Sequence, residues 1–89
     1  MPRVVFTQNL KRHIDCPETV VEGKTVREAL DSVFADRQQL RGYVLDDQSS
    51  LRQHMVIFID GKPVKDRREL SDLVEPATEI FIMQALSGG

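Results

Sequence analysis

Thr25-Val26-Arg27-Glu28-Ala29-Leu30-Asp31-Ser32-Val33-Phe34 decides the fold class of this 89-residue chain. Thr25 at its head, with Glu28 three residues on, fits a capping box, in which the threonine oxygen and the glutamate side chain each satisfy an amide that the first helical turn leaves free. Val26, Ala29, Leu30, Val33 and Phe34 recur at helical spacing, and Leu40 extends the stripe, so the predicted helix has one apolar face to bury. Asp31, Asp36, Arg37, Gln38 and Gln39 fall mostly elsewhere, and Gly42 is a good terminator.

Working outward, the residues on both sides favour strands. Arg3-Val4-Val5-Phe6-Thr7 is β-branched and aromatic, and Thr19-Val20-Val21-Glu22 follows a polar, turn-rich stretch, so an antiparallel hairpin is expected, ended by Gly23-Lys24. Tyr43-Val44-Leu45 suits a short strand or an extended edge segment, and residues 46–53, apolar only at Leu51, suit a surface loop. His54-Met55-Val56-Ile57-Phe58-Ile59 is a strong strand stopped by Asp60-Gly61, a favoured tight-turn pair, with Pro63-Val64 returning briefly. Leu70, Leu73 and Val74 suggest one helical turn before Pro76, and the last strand runs over Glu79-Ile80-Phe81-Ile82-Met83. A single amphipathic helix among such strands can bury its stripe only against one face of a mixed sheet, which is an α+β, two-layer domain. The first and last strands, both strongly apolar, are expected to be neighbours at the sheet centre.

Composition narrows the function classes. The length suits one domain on one core. The lone Cys16 rules out an internal disulfide and any four-cysteine metal or iron–sulfur site. No stretch approaches the ~20 apolar residues of a membrane span, and none resembles a secretory leader, so a cytoplasmic protein without membrane contact is expected. The formal net charge of −2, with both signs mixed, argues against nucleic acid as main partner. Lys62, Lys65, Arg67 and Arg68 form a local basic cluster, but Asp60, Asp66 and Glu69 are interspersed, as on a solvated loop face.

The sequence closes on Ala85-Leu86-Ser87-Gly88-Gly89, almost directly after the last strand. That ending, the element order, the Thr25–Leu30 helix start and the His54–Lys62 strand-turn together resemble the ThiS/MoaD-like sulfur carriers, ubiquitin-like β-grasp proteins with a C-terminal Gly-Gly. The resemblance covers essentially the whole chain. It implies a β-grasp with a mixed four- to five-stranded sheet and one main helix on one face, over residues 1–84, and a flexible tail over 85–89. The loop over 46–53 makes the chain longer than the minimal thiamine-type carriers and nearer in length to molybdopterin-synthase small subunits and to carriers of cysteine or siderophore sulfur.

The chemistry of such a tail is definite. A carboxylate is a poor electrophile and must first become a mixed anhydride such as an acyl-adenylate; a sulfur donor then displaces AMP and leaves a thiocarboxylate. Gly88 and Gly89 suit entry into a narrow activating site because no Cβ blocks close approach. Gly89 is thus the expected covalent site, with Ser87 and Gly88 as the flexible lead and no proteolytic trimming before activation. The implied partners are a ubiquitin-activating-enzyme-like adenylyltransferase that uses ATP, a persulfide or sulfide donor, and a downstream synthase or other acceptor. The chain itself binds no cofactor in this reading and is a protein cosubstrate, not an enzyme. Conjugation of Gly89 to lysines, or a non-covalent β-grasp interaction module, are the alternatives.

Strand alternation locates a docking surface. Helix coverage favours Ile57, Ile59, Ile80 and Ile82 as core, which puts Phe58, Phe81 and Met83 together on the open face beside the tail. By resemblance, ubiquitin-like proteins bind partners through such a patch; the alternative is a cover of loop residues such as Leu51. The remaining chemical residues carry no constellation. Cys16 has no feature that lowers its pKa, His13 and His54 lack ligand spacing, Asp46-Asp47 has no pocket, and Ser49-Ser50 has no base. No metal site and no catalytic residue is expected.

Overall fold

Among the described residues the strand and helix patterns resolve into β1 (Arg3–Phe6), β2 (Thr19–Val20), α1 (Val26–Phe34), α2 (Gln38–Val44), β3 (Met55–Ile59), β4 (Lys62–Pro63) and β5 (Glu79–Gln84). The structure is a computed structural model, and residues 1–7, 18–35 and 37–84 are described. The expectations for His13, Cys16, Ser87, Gly88 and Gly89 lie outside the described residues.

The strands form one mixed sheet in the order β2-β1-β5-β3-β4. β1 is antiparallel to β2 and parallel to β5, so the expected pairing of first and last strands is present, with β5 at the centre. β3 runs antiparallel to both β5 and β4. The β3–β4 turn is built on Asp60 and Gly61, both left-handed at φ 49° and 85°, the geometry an Asp-Gly pair tolerates and a hairpin twist prefers.

α1 starts at Thr25, whose extended backbone lets Oγ1 accept from Glu28 N at 3.2 Å. Glu28 Oε1 in turn accepts from Lys24 N at 2.9 Å, one residue ahead of the amide a capping box ordinarily uses. Asp72 O and Leu70 O accept from Val26 N and Arg27 N, so the loop before β5 satisfies two further amides of the first turn. That loop is shaped by two carboxylates. Asp66 accepts from the amides of Arg68 and Glu69 and from the Ser71 hydroxyl, and Asp72 accepts from the amides of Lys65 and Asp66.

The stripe Val26, Ala29, Leu30, Val33 and Phe34 buries against Val4, Phe6, Met55, Ile57, Ile80 and Ile82 in one core cluster. Ile59 shares that face but lies at the strand end, half-buried against the same cluster. Leu51 also joins the core, bridging to Leu45, and so does not cover the opposite face.

Two local expectations are corrected. Leu40 does not extend α1, which stops at Phe34; it belongs to α2, where Leu40 and Val44, four residues apart, both bury fully. Tyr43-Val44 is therefore helical and not a strand, and Gly42 sits within α2 instead of ending a helix. Nor do Leu70, Leu73 and Val74 make a helical turn. The hydrogen-bonded turn comes earlier, closed by Leu70 N on Asp66 O, while Leu73 forms an isolated bridge with Thr25 and is 79% exposed. The Asp66 carboxylate outweighs the apolar spacing there because it collects several local donors at once.

Candidate functional site

Register alone separates the two sides of the sheet. Val4–Ile80–Ile59 and Phe6–Ile82–Ile57 are rows on the helix side, so the residues between them point the other way. One open-face row runs Val5–Phe81–Phe58–Pro63 across β1, β5, β3 and β4, and the next contains Met83 and Val56. The structure thus brings together the predicted patch: Phe58 directly faces Phe81, and Met83 follows two residues along β5. All three are half-buried, and so are Val5 and Val56. Phe58 and Phe81 stand directly opposite each other in an antiparallel pair, the arrangement that brings cross-strand side chains close.

Val5, Val56 and Pro63 enlarge the patch beyond the predicted trio. Extending the same alternation to the first strand would have found Val5, because it lies between Val4 and Phe6, both buried.

A charged border closes this face at one end. Arg3, Glu79 and Val20 belong to the outermost row, where Arg3 Nη2 donates to Glu79 Oε2 at 2.6 Å and Nη1 lies 3.5 Å from Glu18 Oε1. The hydrogen bond to Glu79, and then the charges of Glu18 and Glu79, raise the Arg3 guanidinium pKa above its ordinary value. Asp60 Oδ1 accepts from Glu79 N at the same end. Such exposed pairs add little stability, but they mark where the apolar area stops. The opposite end, where β5 finishes at Met83 and Gln84, carries no ion pair among the described residues.

At that opposite end the chain leaves the sheet beside α2. Gln84 pairs in register with Met55, and Tyr43 Oη donates to Gln84 Oε1 at 3.3 Å. The Tyr43 ring meets His54 edge-on, with centroids 6.4 Å apart and planes at 81°. Neither Tyr43 nor Gln84 was legible as a site residue, because reading Tyr43 as strand placed it far from this contact.

The other chemical candidates stay apart. Asp46 Oδ1 is taken up by the amides of Ser50 and Gln48, which lower its pKa below the usual carboxylate range, so it serves as a turn cap. Ser50 Oγ donates to Arg68 O, and Arg41 donates to Ser49 Oγ. In the basic cluster, Arg67 donates to the carbonyls of Arg52 and Met55, a structural tie between loops. Among the described residues no group of three His, Cys, Asp or Glu gathers as a metal site, and no helix is long and apolar enough to cross a membrane.

No protein-family model matches the chain, and no curated protein matches it in sequence. Solved structures do match. A chain of the Amycolatopsis orientalis BexX/CysO complex superposes with a TM-score of 0.82 at 19% identity, covering 100% of both chains. The small archaeal modifier protein 1 (SAMP1) of Methanosarcina acetivorans gives 0.80 at 26% identity, covering 99% of this chain and 95% of its own. The chain has the ubiquitin-like β-grasp fold of the ThiS/MoaD-like proteins. Sulfolobus solfataricus Urm1 shares this β-grasp with a TM-score of 0.70 at 20% identity, over 93% of this chain and 99% of that one. Because coverage is nearly complete in both directions, the likeness extends over the whole sheet, β5 included.

Proposed function

We propose that this β-grasp protein is a sulfur carrier whose Gly89 carboxylate is activated and exchanged for a thiocarboxylate. The observation that carries the reading is the placement of β5. It is the central strand, its apolar open face is bordered by ion pairs at the far end, and the sequence after it ends on Ser87-Gly88-Gly89. A partner seated on Phe58, Phe81 and Met83 would therefore lie beside the strand whose end at Gln84 leads in sequence to the reactive carboxylate.

The chemistry runs in two stages. The Gly89 carboxylate attacks the α-phosphorus of ATP held by a ubiquitin-activating-enzyme-like adenylyltransferase, and pyrophosphate leaves. Sulfide then attacks the acyl carbon and expels AMP, giving the thiocarboxylate; a persulfide donor gives an acyl disulfide that a second thiol reduces to the same product. A downstream synthase or other acceptor takes the sulfur, with thiamine, molybdopterin, cysteine and siderophore chemistry all compatible. The chain's own residues bind no nucleotide in this scheme; they dock and present the carboxylate from a cytoplasmic protein. The naming of CysO together with BexX in one crystal structure supports a partner-protein reading.

Intact-protein mass spectrometry tests the proposal after incubation with the cognate activating enzyme, ATP and a sulfur source. A mass gain equal to one sulfur replacing one oxygen is expected, and its absence in chain lacking Gly88 and Gly89. No gain with a partner shown to be active sinks the reading. The name of SAMP1, a modifier protein, favours a second reading in which the adenylated Gly89 is joined to lysines of other proteins. Thiol-resistant conjugates of higher mass in cells distinguish it.

A further inference from the structure

Residues 85–89 span at most roughly 17 Å when extended, so the chain's direction at residue 84 limits where a terminal carboxylate can go. Gln84 is held from one side by β3, through its register with Met55, and from the other by α2, through Tyr43 Oη at 3.3 Å. Tyr43 is itself constrained. Its half-buried ring packs on the core cluster and takes the edge-on contact with His54, the residue just before β3. α2 is fixed in turn: Leu40 and Val44 are fully buried, Arg52 Nε donates to Gly42 O at 2.8 Å, and Arg52 N donates to Val44 O at 3.0 Å.

We propose that Tyr43 is a positioning residue that sets the exit of the C-terminal segment at Gln84 for activation of Gly89. The inference rests on the carrier reading and adds a role for the second helix, which packs at the tail end of β5 and not on the docking face. A hydroxyl on a ring pinned by two neighbours is a pre-organised donor: it narrows the range of directions of the Gln84 side chain without adding contact to a partner. Tyr43 acts through Gln84 and touches neither nucleotide nor reacting carbon.

Steady-state pyrophosphate release with the cognate activating enzyme separates kcat from KM. Tyr43→Phe keeps the ring against His54 and removes only the hydroxyl. The expected result is a loss of kcat of roughly three- to tenfold, the range that one neutral hydrogen bond supports, with KM within about twofold because the open face is untouched. Gln84→Leu shows the same loss, and Gln84→Glu, which keeps an acceptor, retains wild-type kcat. The double variant Tyr43→Phe with Gln84→Leu loses less than the sum of the singles, since each single already removes the Tyr43–Gln84 hydrogen bond. NMR order parameters at the Gln84 side-chain amide fall in Tyr43→Phe while the unfolding midpoint stays near wild type.

Undiminished kcat in Tyr43→Phe, additive losses in the double variant, or a change confined to KM overturns the inference. Wild-type protein that an active partner never adenylates overturns the carrier reading and this inference together. Normal wild-type turnover beside an unaffected Tyr43→Phe overturns this inference alone.

Discussion

Replacing Gly23 and, separately, Gly42 with alanine adds the same methyl group in two opposite settings. At Gly23 the backbone lies at φ +156°, and an added Cβ would fall 2.7 Å from Ala29 N and 3.1 Å from Ala29 Cα and Glu28 C. Those atoms are main chain of α1, so no rotamer change relieves the contact; either the helix or the segment over 22–24 must move. Holding a side-chain-bearing residue in such a backbone costs about 1–3 kcal/mol. Overpacking against main chain costs about another 1–3 kcal/mol, and the stiffer unfolded chain returns about 0.4–1 kcal/mol. The net expectation is a loss of about 1–5 kcal/mol, a large fraction of the ~5–15 kcal/mol that holds a domain together.

At Gly42 nothing lies within 4 Å of an added Cβ, and the residue is exposed within α2. Alanine there should stabilise by about 0.5–1 kcal/mol through helix propensity. Urea denaturation followed by circular dichroism gives both values. The two midpoints should move in opposite directions at nearly constant slope. A Gly23→Ala protein within about 0.5 kcal/mol of wild type, or two variants that shift the same way, would refute the packing argument.

The open face should separate docking from folding: Phe81→Ser is expected to keep the fold while lowering kcat/KM for activation about tenfold or more, as a central interface residue does. Leu73→Ser, at a side chain 79% exposed elsewhere, leaves activation unchanged; equal effects would remove the case for the face. Thr25→Ala should cost about 1 kcal/mol in a thermal or urea melt through loss of the 3.2 Å cap to Glu28 N, and no loss would show the cap to be redundant. Asp66 sits at about 2, below its ordinary 3.8, chiefly through the Ser71 hydroxyl and then the amides of Glu69, Ser71 and Arg68. Its folded pKa is the lower one, so its contribution is complete above the unfolded value and fades as pH falls through about 2. Asp66→Asn should therefore flatten the acid limb of a stability-against-pH curve, and an unchanged limb would count against the assignment.

The strands and their faces were legible because alternation is a strong local signal wherever one side is buried. Val4, Phe6, Ile57, Ile80 and Ile82 could only point one way, and that choice placed Phe58, Phe81 and Met83 on the other side. α1 was legible from its cap and a five-member stripe. α2 was not, for a physical reason. Only Leu40 and Val44 carry its buried face, Gly42 is a helix breaker by propensity, and Tyr43-Val44-Leu45 favours strand. Tertiary burial of that one i, i+4 pair, with Arg52 holding Gly42 O, overrides all three preferences. The loop before β5 misled in the opposite sense. Its leucines have helical spacing, yet Asp66 and Asp72 gather backbone amides that a helix would have used internally.

These two failures bear on how the protein would work. The sheet face was predictable because it is set by packing, and an apolar surface set by packing supplies affinity without much direction. Direction comes from the edges. At one end Arg3, Glu18, Glu79 and Asp60 terminate the apolar area with charge, and a partner that buried that end would have to satisfy two ion pairs. At the other end the face continues through Val56 and Met83 to the place where Gln84 is gripped by α2. Desolvation therefore favours a partner displaced toward the C-terminal end of β5, the end from which the proposed carrier would deliver Gly89. Charge at one border and a helix-borne tyrosine at the other give a plain sheet surface a preferred sense, and neither feature is visible until the strands and α2 are placed in space.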